Sequence, residues 1–209
     1  MPRIVRDHPW LTVFSLGYVA AFGVFGMATG RGQTVTYLVQ LAVTFAFVAV
    51  VHERVGFSGR VLWALAVWGL LHAAGGILYA GDGVLYRFEP LPGLPRYDQV
   101  IHAFGFGAAT VAVWQALRTR LPSAARPGLG LGFVVVLAGM GVGALNEVLE
   151  FLSTKVLADT NVGGYENTGW DLVYNALGAT AASAWIAVRG RPREAAEASR
   201  SSADDERRS

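Results

Sequence analysis

The chain has 209 residues, of which 53% are apolar and only 15% are charged, whereas soluble globular proteins carry about 25% charged residues. This balance excludes an ordinary soluble enzyme, and the many Leu, Val, Ala and Phe residues exclude a disordered chain. Because the chain contains no cysteine, disulfides, thiolate metal sites and cysteine nucleophiles are excluded too. The net charge of +2 comes from dispersed basic residues, so nucleic acid is not an expected partner.

Six apolar segments are each long enough to cross the hydrocarbon core of a bilayer, which requires about 20 residues in a helix. They cover residues 11–29, 34–52, 61–81, 98–117, 129–151 and 169–188. Apolar residues run through these segments without interruption, whereas the strands of a membrane β-barrel alternate. The sequence therefore predicts an all-α integral membrane bundle, one domain over residues 1–188, with the lipid bilayer as its partner.

The basic residues predict the orientation of this bundle. If the N-terminus is cytoplasmic, thirteen of the seventeen Lys and Arg residues lie on inner segments and four lie on outer loops. Basic residues favour the cytoplasmic side, so both termini are predicted to be cytoplasmic. A cleaved signal peptide is the alternative for the first span, which is long for one. Residues 189–209 mix both charges with Ser and Ala and are predicted to form a disordered cytoplasmic tail.

Every charged residue inside the predicted spans is an acid. The acids are Asp98, Glu147, Glu150 and Asp171. An ionised carboxylate in hydrocarbon costs on the order of a few kcal/mol, so each acid must be protonated, exposed to water, hydrogen-bonded or bound to a cation. The alternation of inward and outward spans places all four acids, together with His102, at the outer side of the membrane. His72 is predicted to lie deeper.

The spacing of these residues favours one face of each helix. Asp98 and His102 are four residues apart, Glu147 and Glu150 are three apart, and Asp171 precedes Asn175 by four. Acids and imidazoles that project inward from facing helices are how bundles bind metals. The sequence predicts a divalent metal site with Asp98, His102, Glu147, Glu150 and Asp171 as ligands. Four further residues are predicted to be either deeper ligands or partners of the ligands: His72, Asn146, Asn175 and Tyr97.

Structural roles are the alternative for some of these acids. Asp98 could cap its helix and pair with Arg96, and Asp171 could complete a capping box that starts at Thr168. The two glutamates of the fifth span lie at its predicted C-terminal end, where the helix dipole disfavours negative charge, so a functional or ion-paired role is expected for them. The loop over residues 82–96, with Tyr86, is either a lid over the acids or a plain interfacial loop.

Three stretches carry a family resemblance: Tyr97-Asp98-x-x-x-His102-x-x-Gly105, Asn146-Glu147-x-x-Glu150-Phe151, and Asn167-Thr168-x-x-Asp171-x-x-x-Asn175-x-x-Gly178-Ala179. They resemble the YjdF-like family of multi-pass bacterial inner-membrane proteins and, more distantly, the VanZ-like proteins, which are linked by name to glycopeptide-antibiotic resistance. The resemblance covers residues 97–182. It implies the bacterial inner membrane and supports the site residues, but it implies no reaction.

Three classes of function are compatible with these residues. The first is a metal-dependent protein that acts on a lipid or lipid-linked substrate. The second is a small proton- or cation-coupled transporter, in which the acids titrate instead of binding metal. The third is a non-catalytic lipid-binding or assembly protein, in which the polar residues only fix helix packing. Whether the protein is an enzyme is left open by the sequence.

Overall fold

The computed structural model describes residues 1–122, 128–157 and 160–189, so the predicted tail lies almost entirely outside the described residues. Among the described residues the strands are limited to one short hairpin, and the rest of that part of the chain forms helices joined by turns and loops. Its helices are α1 (Arg3–Asp7), α2 (Pro9–Ala28), α3 (Thr34–Val55), α4 (Gly59–Ile77), α5 (Tyr97–Arg118), α6 (Leu129–Val156) and α7 (Tyr165–Arg189). This confirms the predicted all-α bundle.

Five of these helices, α2 to α6, are long and apolar enough to cross a membrane. Large apolar side chains point away from the bundle, as expected for contact with lipid: Val24 is 72% exposed and Phe47 is 67% exposed. Helix α7 has 25 residues, which is sufficient length, but its composition is more polar. A sixth span along α7, and the orientation derived from six spans, therefore stay predictions.

The third predicted span was too long at its C-terminal end. Helix α4 ends at Ile77, and an antiparallel hairpin follows, with β1 over Tyr79–Ala80 and β2 over Gly83–Val84. Gly81 has a φ of 64° in the turn, a left-handed conformation that a helix does not contain and that glycine adopts freely. A short 3₁₀ helix over Leu85–Arg87 then leads into the loop before α5.

Two other helices, α6 and α7, are longer than the spans predicted for them. Helix α6 continues to Val156 instead of ending at residue 151. Its last turns contain Ser153 and Thr154, whose hydroxyls donate to the carbonyls of Glu150 and Phe151, at 2.6 and 2.7 Å. Helix α7 begins at Tyr165, four residues before the predicted start. The predicted position of the two glutamates at a helix end was therefore wrong, since a turn and a half of helix follows Glu150.

Helices α5, α6 and α7 pack closely where glycine replaces a side chain. A methyl group at Gly178 of α7 would collide with the Ala103 carbonyl of α5. A methyl group at Gly143 of α6 would lie 2.6 Å from the amide nitrogen of Asn175 on α7. This contact brings the polar residues of three helices together.

Different elements form the two ends of the bundle. Helix α1, the α3–α4 turn and the last turn of α5 form one end, called here the α1 end, where Arg3 donates its backbone N–H to Glu53. The hairpin, the first turns of α5 and α7 and the last turns of α6 form the other end, called here the hairpin end. The five predicted ligands all lie near the hairpin end.

Candidate metal centre

His102 lies at the centre of a buried group of polar side chains. Its Nε2 atom is 3.5 Å from Oδ1 of Asp98, one turn earlier on α5. Its Nδ1 atom is 3.8 Å from Oε1 of Glu147 on α6 and 3.1 Å from Oδ1 of Asn175 on α7. Glu147 is 7% exposed and Asn175 is completely buried. Three helices therefore converge on one imidazole ring.

Two overlapping sets of side chains are close enough to share a cation. One set is Asp98, His102 and Asp171, and the other is His102, Glu147 and Glu150; the candidate ligand atoms of each set lie within 4.8 Å of one another. Ligands on opposite sides of a divalent cation lie roughly 4–5 Å apart, because metal–ligand distances are about 2.0–2.6 Å. The spacing of both sets therefore suits a metal ion.

The hydrogen bond to Asn175 favours the first of these sets. An amide oxygen only accepts, so the imidazole must donate from Nδ1 to Oδ1 of Asn175. In the neutral imidazole the other ring nitrogen, Nε2, then carries the lone pair, 3.5 Å from Oδ1 of Asp98. Metal-binding histidines are commonly fixed in this way, with the second ring nitrogen held by an oxygen acceptor. Asp98, His102 and Asp171 therefore form the more suitable ligand set.

Several polar atoms of this group have no hydrogen-bond partner among the described residues. They are both carboxylate oxygens of Glu147, Oδ1 of Asp171 and Nδ2 of Asn175. Asp171 is only 1% exposed. A buried polar atom without a partner is costly, and a buried charge is more so, so a cation or a proton is needed at these oxygens. The donor set of carboxylates and one imidazole fits a divalent metal.

Two amides hold the acids in place. Asn167 donates to Oδ2 of Asp98 at 3.3 Å and also to Oδ2 of Asp171, which joins the two carboxylates of the favoured ligand set. Asn146 donates to Oε1 of Glu150 at 2.7 Å. The sequence analysis did not place Asn167 in the site, although it precedes Asp171 by four residues and therefore lies on the same helix face.

The structure separates the structural alternatives for two of the acids: the capping box at Asp171 is wrong, whereas Asp98 does lie in the first turn of its helix. Arg96 lies 3.9 Å from Glu89, whereas Asp98 points towards His102 and Asn167. Asp171 is the seventh residue of α7, so it lies too far inside the helix to complete a capping box. Both carboxylates belong to the polar group, and Asp98 also lies in the first turn of α5.

The deeper residue His72 has its own partner in the loop before α5. The Tyr86 hydroxyl shares a hydrogen bond with Nδ1 of His72 and donates to its backbone carbonyl at 3.0 Å. Burial raises the pKa of Tyr86 well above its usual range, so this hydroxyl keeps its proton. Tyr97, expected to support the acids, donates instead to the Leu71 carbonyl at 2.9 Å and so connects α5 to α4.

A cavity of about 270 Å³ connects these two parts of the site. It is lined by acids, amides and aromatic side chains that include Asp98, Glu150, His72, Tyr86 and Asn161. Asn161, in the segment before α7, donates to Tyr37 and to the Gly76 carbonyl, both at 3.3 Å. The loop before α5 therefore contributes a buried tyrosine to the wall of the cavity.

Apolar helices around a buried acid-and-histidine group define a multi-pass helical membrane protein with a polar site inside the bundle. The chain belongs to the family described as predicted membrane protein, DUF2238, whose profile matches residues 10–192. Membership of a membrane-protein family without an assigned activity is thus confirmed, and the more specific YjdF-like and VanZ-like resemblances stay predictions. No curated protein and no solved structure matches this chain.

Proposed function

We propose that this protein binds a divalent cation at Asp98, His102 and Asp171 and acts on a lipid or lipid-linked substrate at the outer side of a bacterial inner membrane. The observation that carries the proposal is the buried Asp171 oxygen without a described hydrogen-bond partner, beside an imidazole whose Nε2 lies 3.5 Å from the Asp98 carboxylate. A cation at this position would satisfy both groups.

The charges around the cavity support an anionic substrate that depends on the cation. Asp98 and Glu150 line the cavity, and no Lys or Arg is present among the described residues of its wall. Without a cation, a phosphate or carboxylate headgroup would be repelled by these acids. A bound divalent cation would reverse this repulsion and could polarise a phosphoryl oxygen or activate a water molecule.

Glu147 and Glu150 have a different role in this proposal. They lie on the Nδ1 side of His102, which the bond to Asn175 makes unsuitable as a ligand atom. Asn146 orients Glu150, while neither oxygen of Glu147 has a hydrogen-bond partner among the described residues. In this proposal Glu150, at the cavity wall where the substrate would enter, is the acid that accepts a proton from the substrate, and Glu147 stays behind it beside His102.

Metal analysis of the protein purified in detergent tests this function. Wild type should contain about one divalent ion per chain, and Asp171→Asn should lose it. Glu166→Gln is the matched control, because it removes an exposed acid from the same helix. A chelator should lower the melting temperature of wild type and of the control, but not that of Asp171→Asn. If wild type contains no metal and melts at the same temperature with and without chelator, the metal-dependent function is rejected, and the transporter and helix-packing hypotheses remain.

A further inference from the structure

A second, larger cavity lies between α2, α3 and α4. Its volume is about 330 Å³, and it extends from α1 to His72. Side chains such as Leu16, Phe45 and Leu65 form most of its wall, and none of the described residues that line it is Asp, Glu, Lys or Arg. The cavity is therefore an apolar space inside the predicted membrane-spanning part of the bundle.

This apolar cavity adjoins the polar cavity of the candidate metal centre. His72 and Gln40 line both cavities. Asn146, which donates to Glu150, also lines the apolar one. A molecule with a polar group at the acids could therefore extend past His72 into the apolar space.

The dimensions of the apolar cavity suit one hydrocarbon chain. Its wall on α3 runs from Gln40 to Ala49, which is roughly 14 Å along a helix. One leaflet of a bilayer is about 15 Å deep, since the whole hydrocarbon core is about 30 Å thick. The volume lies at the lower end of ligand cavities, about 300–1,000 Å³, so a complete two-chain lipid would not fit.

We propose that this cavity holds one hydrocarbon chain of a membrane lipid whose headgroup lies in the adjoining polar cavity, at Asp98 and Glu150. The inference rests on the proposed function for the headgroup and adds the chain of the substrate to it. The uncharged wall favours a hydrocarbon chain over an ion, because an ion there would lose its hydration without compensation. The hydroxyls of Thr44 and Ser15 do not alter this, since such side chains can bond to their own helix carbonyls.

Photocrosslinking tests the proposal with a defined probe. The probe is phosphatidylglycerol with a diazirine at the end of one palmitoyl chain, incorporated in phosphatidylcholine vesicles with the purified full chain. After irradiation, mass spectrometry should find the probe attached to residues of the cavity wall, such as Val48 and Leu62, in addition to outward-facing residues such as Phe47. Attachment to outward-facing residues alone would overturn the proposal.

Two variants on α3 provide a matched comparison. Ala49→Trp fills the cavity, whereas Val43→Trp adds the same side chain to a lipid-facing position that is 65% exposed. The first should lower crosslinking to the cavity wall at least tenfold, and the second should leave it unchanged. The crosslinking of wild type is interpreted without either variant, so the proposal can still be tested if a variant fails to fold.

Metal content, measured on the same samples, separates this proposal from the proposed function. If wild type contains no metal but is crosslinked at the cavity wall, the hydrocarbon-chain site is supported and the metal centre is rejected. If wild type contains metal but is not crosslinked at the cavity wall, only the hydrocarbon-chain site is rejected.

A water-filled route through the cavity is tested with Thr44→Cys, which introduces the sole thiol of the chain. Rapid reaction of Thr44→Cys with a small charged thiol reagent would show water in the cavity and overturn the proposal, whereas protection of the thiol would support it.

Discussion

Nδ1 of His102 lies 3.1 Å from Oδ1 of Asn175, although the two residues are 73 positions apart and belong to different helices. This hydrogen bond depends on the close approach of α5 and α7 at Gly178, one turn after Asn175. The same hydrogen bond determines which ring nitrogen of His102 is available to bind a metal ion. Helix packing and the chemistry of the candidate site are therefore connected through one side chain.

Replacing Asn175 with Leu should weaken metal binding about 10- to 100-fold, because His102 loses the acceptor that fixes its ring. Asn175→Asp retains an oxygen acceptor at the same position and should bind metal at least as well as wild type. A competition titration against a chromogenic chelator measures both affinities. Equal, undiminished affinity in Asn175→Leu would show that the hydrogen bond does not orient a metal ligand.

A glycine on α6 gives a second way to disturb the same bond. A methyl group at Gly143 would lie 2.6 Å from the Asn175 amide nitrogen, so Gly143→Ala should displace Asn175 from His102. Gly141→Ala is the control, because nothing lies within 4 Å of its added methyl group. We expect lower metal affinity in Gly143→Ala only, by the same titration. A larger effect of Gly141→Ala would contradict the packing described here.

The sequence predicted the helices and the convergence of the acids because both follow from simple distances. Apolar length identifies a span, and the depth of Asp98, Glu147 and Asp171 follows from the rise per residue and the alternation of spans. The orientation of side chains about each helix was predictable for the same reason, since residues four apart share a face.

Other features depend on contacts that the sequence pattern does not reveal. The insertion of Tyr86 against His72 follows from the hairpin turn at Gly81, which ends α4 earlier than its apolar run predicts. Asn167 bonds to Asp98 on a helix 69 positions away, and no local spacing encodes that pair. The apolar cavity is the space left mainly between α2, α3 and α4, and no sequence pattern predicts such a space.

The predicted topology can be tested by labelling single cysteines, because the native chain has none. Asp82→Cys, in the hairpin turn, should react with a membrane-impermeant maleimide on intact cells. Arg120→Cys, just after α5, should react only after the membrane is permeabilised. Both positions are exposed, so a difference in reaction reports the side of the membrane. The opposite pattern would reverse the orientation and place the candidate metal centre on the cytoplasmic side.

The packing of α5 against α7 should be the least tolerant part of the bundle. At Gly178 an added methyl group meets the Ala103 backbone carbonyl, which cannot move without shifting α5. Gly178→Ala should therefore destabilise the protein by about 1–3 kcal/mol, the usual cost of overpacking a core. Gly169→Ala on the same helix is the control, because its added methyl group has nothing within 4 Å and alanine favours the helix.

Thermal unfolding in detergent, with metal content measured on the same samples, checks this expectation. Since Ala103 adjoins His102 on α5, a shift of α5 should also move the imidazole away from Asn175, so Gly178→Ala should lose metal as well as stability. Gly169→Ala should change neither. A Gly178→Ala protein that melts like wild type would mean that α5 and α7 are further apart than this structure places them, and the ligand set built across that contact would then have no basis.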